Sequence, residues 1–430
     1  MRAISGWMLC GLVIVGACTG DNRSDAERRA AAAPPVQAAE RQANAATVAW
    51  QDSPAMSQEE LERGRYDAEW RQVVELDSVP GAAAPRNPER WDSITADLVN
   101  QGTMIVPLYG EVAGPSVLRT QVMLDRAVFS PGIMDGRWGK NTEKAIYWLQ
   151  RREGLPRTGR LDKETLAKLT DLAGNPQQII RAYTLTAEDV KGPFVDIPDD
   201  IYEHAKLECS CYESLTEKLS EQFHVTPDLL AKLNPDVQLD GLAAGQTIQV
   251  PNVREPSQAG GANVSRIVVS DRGKYLHALD SSGRILYHFP TTLGSSYDPS
   301  PAGDFKVTRV AKDPDWHYQP AILAHVESSK PDALIPPGPN NAVGLVWMAL
   351  SVPHYGIHGT RSPETIGYAS SAGCVRLTNW DALFLADRVR PGTPVEFRDT
   401  ESATGGRSAT RGDTARQDTT RATRGGQRRS

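Results

Sequence analysis

Between Arg266 and Arg398 the apolar side chains change to a period of two, and this alternation constrains the fold more than any other feature of the chain. Arg266-Ile267-Val268-Val269 and Lys274-Tyr275-Leu276-His277-Ala278-Leu279 read as strands joined around Asp271-Arg272-Gly273, and residues 285–289, 305–310 and 394–397 read likewise. Successive side chains on a strand point to opposite faces, so the pattern belongs to sheet and not to helix. One helix is expected near residues 380–389. Short strands with few helices predict a mainly β, sandwich-like unit, within a multidomain α+β chain.

The remaining length of the 430-residue chain suggests two to four domains in all. Arg2 precedes an apolar stretch over residues 7–17 that is too short to cross a bilayer as a helix and has the shape of a secretory signal. It ends in Val15-Gly16-Ala17-Cys18, which resembles a bacterial lipobox, whose cysteine is lipidated and becomes the new N-terminus. The resemblance implies a signal peptide over 1–17, lipidation of Cys18 and residence in the cell envelope or periplasm. Thr19 and Gly20 follow without an Asp, the pattern of outer-membrane sorting in a diderm bacterium.

No second apolar run exists, which excludes a polytopic membrane protein, and five cysteines are too few for a disulfide scaffold. A net charge of −6 gives no reason to expect nucleic acid as partner. Residues 18–57, rich in Ala, Arg, Gln and Pro, read as a flexible tether. Residues 58–114 carry helical-looking stretches over 61–74 and 91–99. The segment 399–430 holds seven Arg against four acids and no aromatic, Val, Ile or Leu, so it reads as a disordered tail.

Over 115–172, Leu118 and Val122, then Ala145, Ile146, Trp148 and Leu149, fall at helical spacing, and a third helix is expected near Asp162. Asn141 or Thr142 is the expected cap of the second helix. The turns Asp135-Gly136-Arg137-Trp138-Gly139-Lys140-Asn141-Thr142 and Gly154-Leu155-Pro156-Arg157-Thr158-Gly159 make this segment resemble the three-helix peptidoglycan-binding domain. Over 182–253, Leu215, Leu219 and Phe223 mark one helix and Leu229, Leu230 and Leu233 another. Asn234-Pro235, Gly245-Gln246 and a short strand at 247–251 follow. That order resembles a LysM module, implying N-acetylglucosamine polymers as ligand, although no N-terminal strand is legible. Cys209 and Cys211 are expected to be buried thiols or to bridge elsewhere, because cysteines so close rarely pair with each other.

The chemistry concentrates in Tyr355-Gly356-Ile357-His358-Gly359-Thr360 and Ser370-Ser371-Ala372-Gly373-Cys374-Val375-Arg376-Leu377. A thiol is nucleophilic but mostly protonated at neutral pH, so it needs a base nearby; Cys374 is the candidate nucleophile and His358 the candidate base. His354 and His358 stand four apart, as helical zinc ligands would, but Pro353 and Gly356 argue against a helix. His277, His288, His317 and His325 read as strand or loop residues without a chemical role, though His317 stands beside the Trp316 stretch.

The His-Gly-Thr and Gly-Cys-Val-Arg elements, with Cys374 sixteen residues after His358 (374 − 358 = 16), resemble the L,D-transpeptidase family. Asp313-Pro314-x-Trp316, 335–341 and Leu377-Thr378-Asn379-Trp380-Asp381 agree with it. The chain departs at Ala372, where the family often has a second histidine, and at Ala342, where proline is commoner. The resemblance implies that the Gly359 carbonyl orients His358 and that backbone N–H groups at Gly373 and Cys374 form an oxyanion hole. It further implies that Arg376, Ser371, Tyr355 and Trp316 contact substrate, with no metal or other cofactor required. The expected substrate is peptidoglycan: Cys374 attacks the third residue of a stem peptide, D-Ala leaves, and an amine of another stem or of a wall-anchored protein resolves the thioester. Water as acceptor, giving a carboxypeptidase or cross-link hydrolase, and a non-enzymatic wall anchor are the alternatives.

Overall fold

The computed structural model describes residues 89–254, 264–295, 298–322, 327 and 329–398. The expected signal, Cys18, the tether, the 61–74 stretch, His325 and the Arg-rich tail lie outside the described residues. Among the described residues no helix is long and apolar enough to cross a membrane.

The first unit holds α1 (Ala96–Gln101), α2 (Pro115–Arg126), α3 (Lys140–Glu153) and α4 (Lys163–Leu172). Pro115 opens α2 at a position where its missing N–H costs nothing, and Gly154 stops α3 in the left-handed conformation at φ 73°. The Asp162 carboxylate caps α4 by accepting from Thr165 N. Leu118, Val122, Ile146, Leu149 and Leu169 are buried together between these helices. The expected cap of α3 needs correction: Gly139 holds the N-cap position without a side-chain bond, and Asn141 lies inside the first turn. Its amide Nδ2 donates instead to Ile366 O at 2.9 Å, far along the chain.

The second unit runs β1 (Ile180–Thr184), α5 (Ile201–His204), α6 (Leu215–Gln222), α7 (Pro227–Leu233) and β2 (Thr247–Pro251). β1 pairs antiparallel with β2, from Ile180 beside Pro251 to Thr184 beside Thr247, so a strand precedes the helix pair after all. Ser214 and Thr226 cap α6 and α7 through their hydroxyls. A second correction concerns the cysteines. Cys209 and Cys211 are joined to each other, with Cα atoms 5.2 Å apart, inside the range a disulfide spans. Ser210 between them turns inward: its N–H donates to Pro337 O and its hydroxyl to Pro336 O, while its carbonyl accepts from Asn340 N. With the middle residue pinned, both flanking side chains point the other way and can meet.

The third unit holds β3 (Arg266–Ser270), β4 (Tyr275–Leu279), β5 (Ile285–Pro290), β6 (Leu293–Gly294), β7 (Gly303–Lys312), β8 (Trp316–Tyr318), β9 (Ala333–Ile335), β10 (Val346–Leu350), β11 (Gly356–His358), β12 (Ser370–Ser371), β13 (Val375–Arg376), α8 (Asn379–Ala386) and β14 (Pro394–Arg398). Eight strands form one curled mixed sheet in the order β13-β11-β10-β7-β14-β3-β4-β5. The β14–β3 and β11–β13 pairs are parallel and the others antiparallel. Its core gathers Ile267, Val269, Leu276, Val307, Met348, Ile357 and Val375, with α8 contributing Phe384 and Leu385. His277 and His288 are buried here as a pair, Nε2 to Nδ1 at 3.0 Å, and burial pushes both well below the usual imidazole range.

The three units meet around Arg254, which is 2% exposed. Its guanidinium pairs with Asp125 of α2 at 2.9 Å and with Asp381 of α8. His224 Nδ1 lies 2.9 Å from Asp125, its ring stacks on Trp380 at 4.8 Å, and Ser130 Oγ donates to Asp381 at 2.8 Å. Burial alone would raise the Asp125 carboxyl; Arg254 and His224 overcome it and hold the group down to about 2.

Candidate active site

β11 and β13 run side by side and parallel, with Ile357 beside Val375 and His358 beside Arg376. Because strand side chains alternate, His358, Arg376 and Cys374, the residue just before β13, share one face of the sheet. The order of the two motifs thus becomes proximity through a strand pairing, not through a helix. His354 stands in the turn before β11, in the left-handed region at φ 69°, so the four-residue spacing to His358 has no helical meaning.

His358 is 4% exposed, and its ring stacks on Trp347 of the neighbouring β10 at 5.5 Å. Gly356 makes room for that indole, since a Cβ there would meet it at 2.6 Å. His358 Nδ1 lies 2.7 Å from Gly359 O, an acceptor only, so Nδ1 carries the proton and Nε2 keeps its lone pair. Cys374 is half-buried, with Sγ 3.7 Å from His354 O. Its loop is closed by Ser371 Oγ, which donates to Cys374 O at 2.7 Å, and by Ser300 Oγ, which donates to Gly373 O at 3.0 Å.

Gly373 sits at φ +99°, and a Cβ there would meet the Tyr355 ring at 2.6 Å; only glycine satisfies both conditions. Burial pushes the Cys374 thiol up to about 11, opposed by the Gly356 amide and by Arg376. Burial also pushes His358 down to about 3, with Arg376 adding to it and the Gly359 carbonyl opposing it. Thiol and imidazole are therefore both neutral at pH 7. Burial, with Cys374 and Asp298 nearby, pushes the Tyr355 hydroxyl up as well.

Residues 265–397 match the L,D-transpeptidase catalytic domain and residues 113–169 a peptidoglycan binding domain. The chain is 31% identical over 181 residues to the Bacillus licheniformis protein assigned as L,D-transpeptidase YkuD, covering 42% of this chain and 92% of that one. It belongs to the L,D-transpeptidase family. The Bacillus subtilis YkuD protein is likewise 31% identical, over 41% of this chain and 89% of its own. Among solved structures, L,D-transpeptidase 3 from Mycobacterium tuberculosis aligns at 13% identity over 37% of this chain and 76% of that one, with a TM-score of 0.27.

In this L,D-transpeptidase domain Cys374, His358, Gly359, Gly373, Ser371, Arg376 and Tyr355 lie around one point at the β11–β13 edge. Trp316 does not join them on the sheet: it stands on the separate β8–β9 ribbon, with its ring against Tyr318 at 5.4 Å. Four residues escaped the sequence reading. Trp347 and Gly356 shape the bed of the imidazole, and Ser300 ties down the Gly373-Cys374 loop. The fourth is Asn379, whose Oδ1 accepts from Leu345 N and Thr360 N, each at 3.1 Å. It belongs to the Leu377-Thr378-Asn379-Trp380-Asp381 motif, but nothing local in the sequence assigns it a partner.

Proposed function

We propose that this chain is a peptidoglycan L,D-transpeptidase in which Cys374 is the nucleophile and His358 the general base. The observation that carries the reading is the parallel β11–β13 pairing, which sets Cys374, the residue just before β13, on the same face as His358, with His358 Nδ1–H held by Gly359 O and Nε2 left to receive a proton. As Sγ attacks the carbonyl of the third stem residue, its proton moves to His358 Nε2. The developing oxyanion is held by the Gly373 and Cys374 N–H groups. Collapse breaks the peptide bond to D-Ala, whose amine takes the proton from His358, and a thioester remains. An acceptor amine then attacks, His358 again removes the proton, and the Cys374 thiol is restored.

The neutral resting pair fits this sequence, because deprotonation accompanies attack and needs no standing ion pair. Arg376, close enough to perturb both groups, is the candidate partner for a substrate carboxylate, with Ser371 and Tyr355 lining the approach and Trp316 a more distant contact. The peptidoglycan binding domain supports a wall substrate. The pairing of β1 with β2 around the capped helices α6 and α7, with the short α5 inserted after β1, supports a LysM-like glycan module. Lipidation at Cys18 would hold the enzyme to a membrane of the envelope.

The test incubates the full chain with disaccharide-tetrapeptide and reads products by mass spectrometry. Dimers joined between third residues, with D-Ala lost, support the transpeptidase; tripeptide alone moves the reading to a hydrolase using water. Cys374→Ala is expected to abolish both products, and turnover in that variant overturns the assignment.

A further inference from the structure

The peptide group between Gly359 and Thr360 is held at both ends. Its carbonyl receives His358 Nδ1–H, and its N–H donates to Asn379 Oδ1 at 3.1 Å. The same Oδ1 accepts from Leu345 N, so the amide of Asn379 has one permitted orientation, with Nδ2 turned away from the site. A Cβ on Gly344 or Gly359 would come within 2.0 or 2.1 Å of that oxygen, so two glycines clear the space it occupies. Asn379 Nδ2 donates to Pro339 O at 3.3 Å and reaches both carboxyl oxygens of Glu221, at 3.1 and 3.2 Å. Tyr212 Oη donates to Glu221 Oε1 at 3.1 Å.

Glu221 lies on α6, in the second unit, outside the segment 265–397 that matches the catalytic family. We infer that Glu221 is a positioning residue for the transpeptidase base, acting through Asn379 and the Gly359–Thr360 peptide to fix the His358 imidazole. The inference rests on the reading of His358 and Cys374 given above. It makes the second unit a structural part of the active site as well as a wall-binding module. Burial raises the Glu221 carboxyl to about 8, so at neutral pH it is mainly protonated, and a glutamine at the same place offers Asn379 the same kind of acceptor oxygen.

The experiment uses the full chain and measures D-Ala release from disaccharide-tetrapeptide together with the downfield proton resonance of His358 Nδ1–H. Glu221→Leu is expected to lower kcat roughly tenfold, less than the about 100-fold cost of a directly displaced reacting group because it acts through Asn379, with KM within about twofold, and to broaden or shift the His358 resonance. Glu221→Gln is expected to restore both readouts. If Glu221→Leu does not fold, Glu221→Met, which also lacks an acceptor oxygen, is read in its place. A folded Leu or Met variant with unchanged kcat and resonance overturns the inference, as does a loss that Glu221→Gln fails to restore. Cys374→Ala separates the two levels: turnover in that variant overturns the catalytic reading and this inference with it. An inactive Cys374→Ala beside a fully active Glu221→Leu overturns this inference alone.

Discussion

A thiol pushed up to about 11 beside an imidazole pushed down to about 3 makes a definite kinetic prediction. Only the thiolate is alkylated at an appreciable rate, and its fraction rises about tenfold per pH unit while the pH stays below the thiol pKa. The rate of Cys374 alkylation by iodoacetamide should therefore climb steadily from pH 7 to 10. A preformed thiolate–imidazolium pair would instead give a plateau beginning in the acid range, and observing one would refute the neutral pair. At the same scale, Gly373→Ala adds a methyl where the Tyr355 ring already stands and forces an L-residue to φ +99°. Turnover should fall at least about 100-fold, as a displaced reacting group implies, while far-UV circular dichroism stays unchanged. Activity within tenfold of the wild type would show that the loop absorbs the methyl. Cys374 and His358 could be singled out in the sequence as candidates because residue type and a fixed spacing mark them, and the β11–β13 pairing brings their motifs side by side. Trp347 and Asn379 could not, since each acts through a neighbour that only the sheet pairing and the α8 start bring close.

Helix α3 shows how an element's local signals can be right about its existence and wrong about its end. The apolar spacing of Ile146, Trp148 and Leu149 announces the helix, and a capping residue type stands near its start. The Asn141 side chain nevertheless bonds Ile366 O, 225 residues away, and its oxygen stands where a Cβ on Gly367 would lie. Ile366 and Gly367 lead directly into β12 and the Cys374 loop, and Gly367 N is in turn held by Thr292 Oγ1 at 3.2 Å. The first unit thus braces the turn that leads to Cys374. Asn141→Ala removes one buried hydrogen bond and leaves Ile366 O without that donor, a loss of about 1–3 kcal/mol. Amide exchange should rise over residues 366–376 and not over α4; uniform protection would refute the brace. β1 was illegible for a related reason: its partner β2 lies beyond α5, α6 and α7, and five residues of mixed polarity do not announce a strand alone.

At the scale of the molecule, the burial of Arg254 between Asp125 and Asp381 decides whether the three units behave as one body. Each carboxylate comes from a different unit, and His224 of the second unit contacts Asp125 while stacking on Trp380 of the third. A buried ion pair adds little compared with a well-packed apolar substitute, but removing one partner strands the other charges at a cost of about 3–5 kcal/mol. Arg254→Met should therefore cost far more than its lost packing, and its pH dependence has a definite sign. Asp125 is depressed to about 2 in the folded chain against about 3.9 when unfolded, so its contribution is present above the unfolded value and lost as pH falls towards 2. Arg254→Met removes the largest of the interactions that oppose burial and leaves the His224 and backbone contacts to Asp125, so the difference in stability between wild type and variant should be full above about pH 5 and shrink as the carboxyl protonates. Calorimetry from pH 3 to 7 measures this directly. The wild type should melt in one transition whose midpoint falls with acid, and the variant in separated transitions with a flatter acid limb. Two stability curves running parallel across that range would mean that Arg254 holds the units together by packing alone, and that its charge contributes nothing to their union.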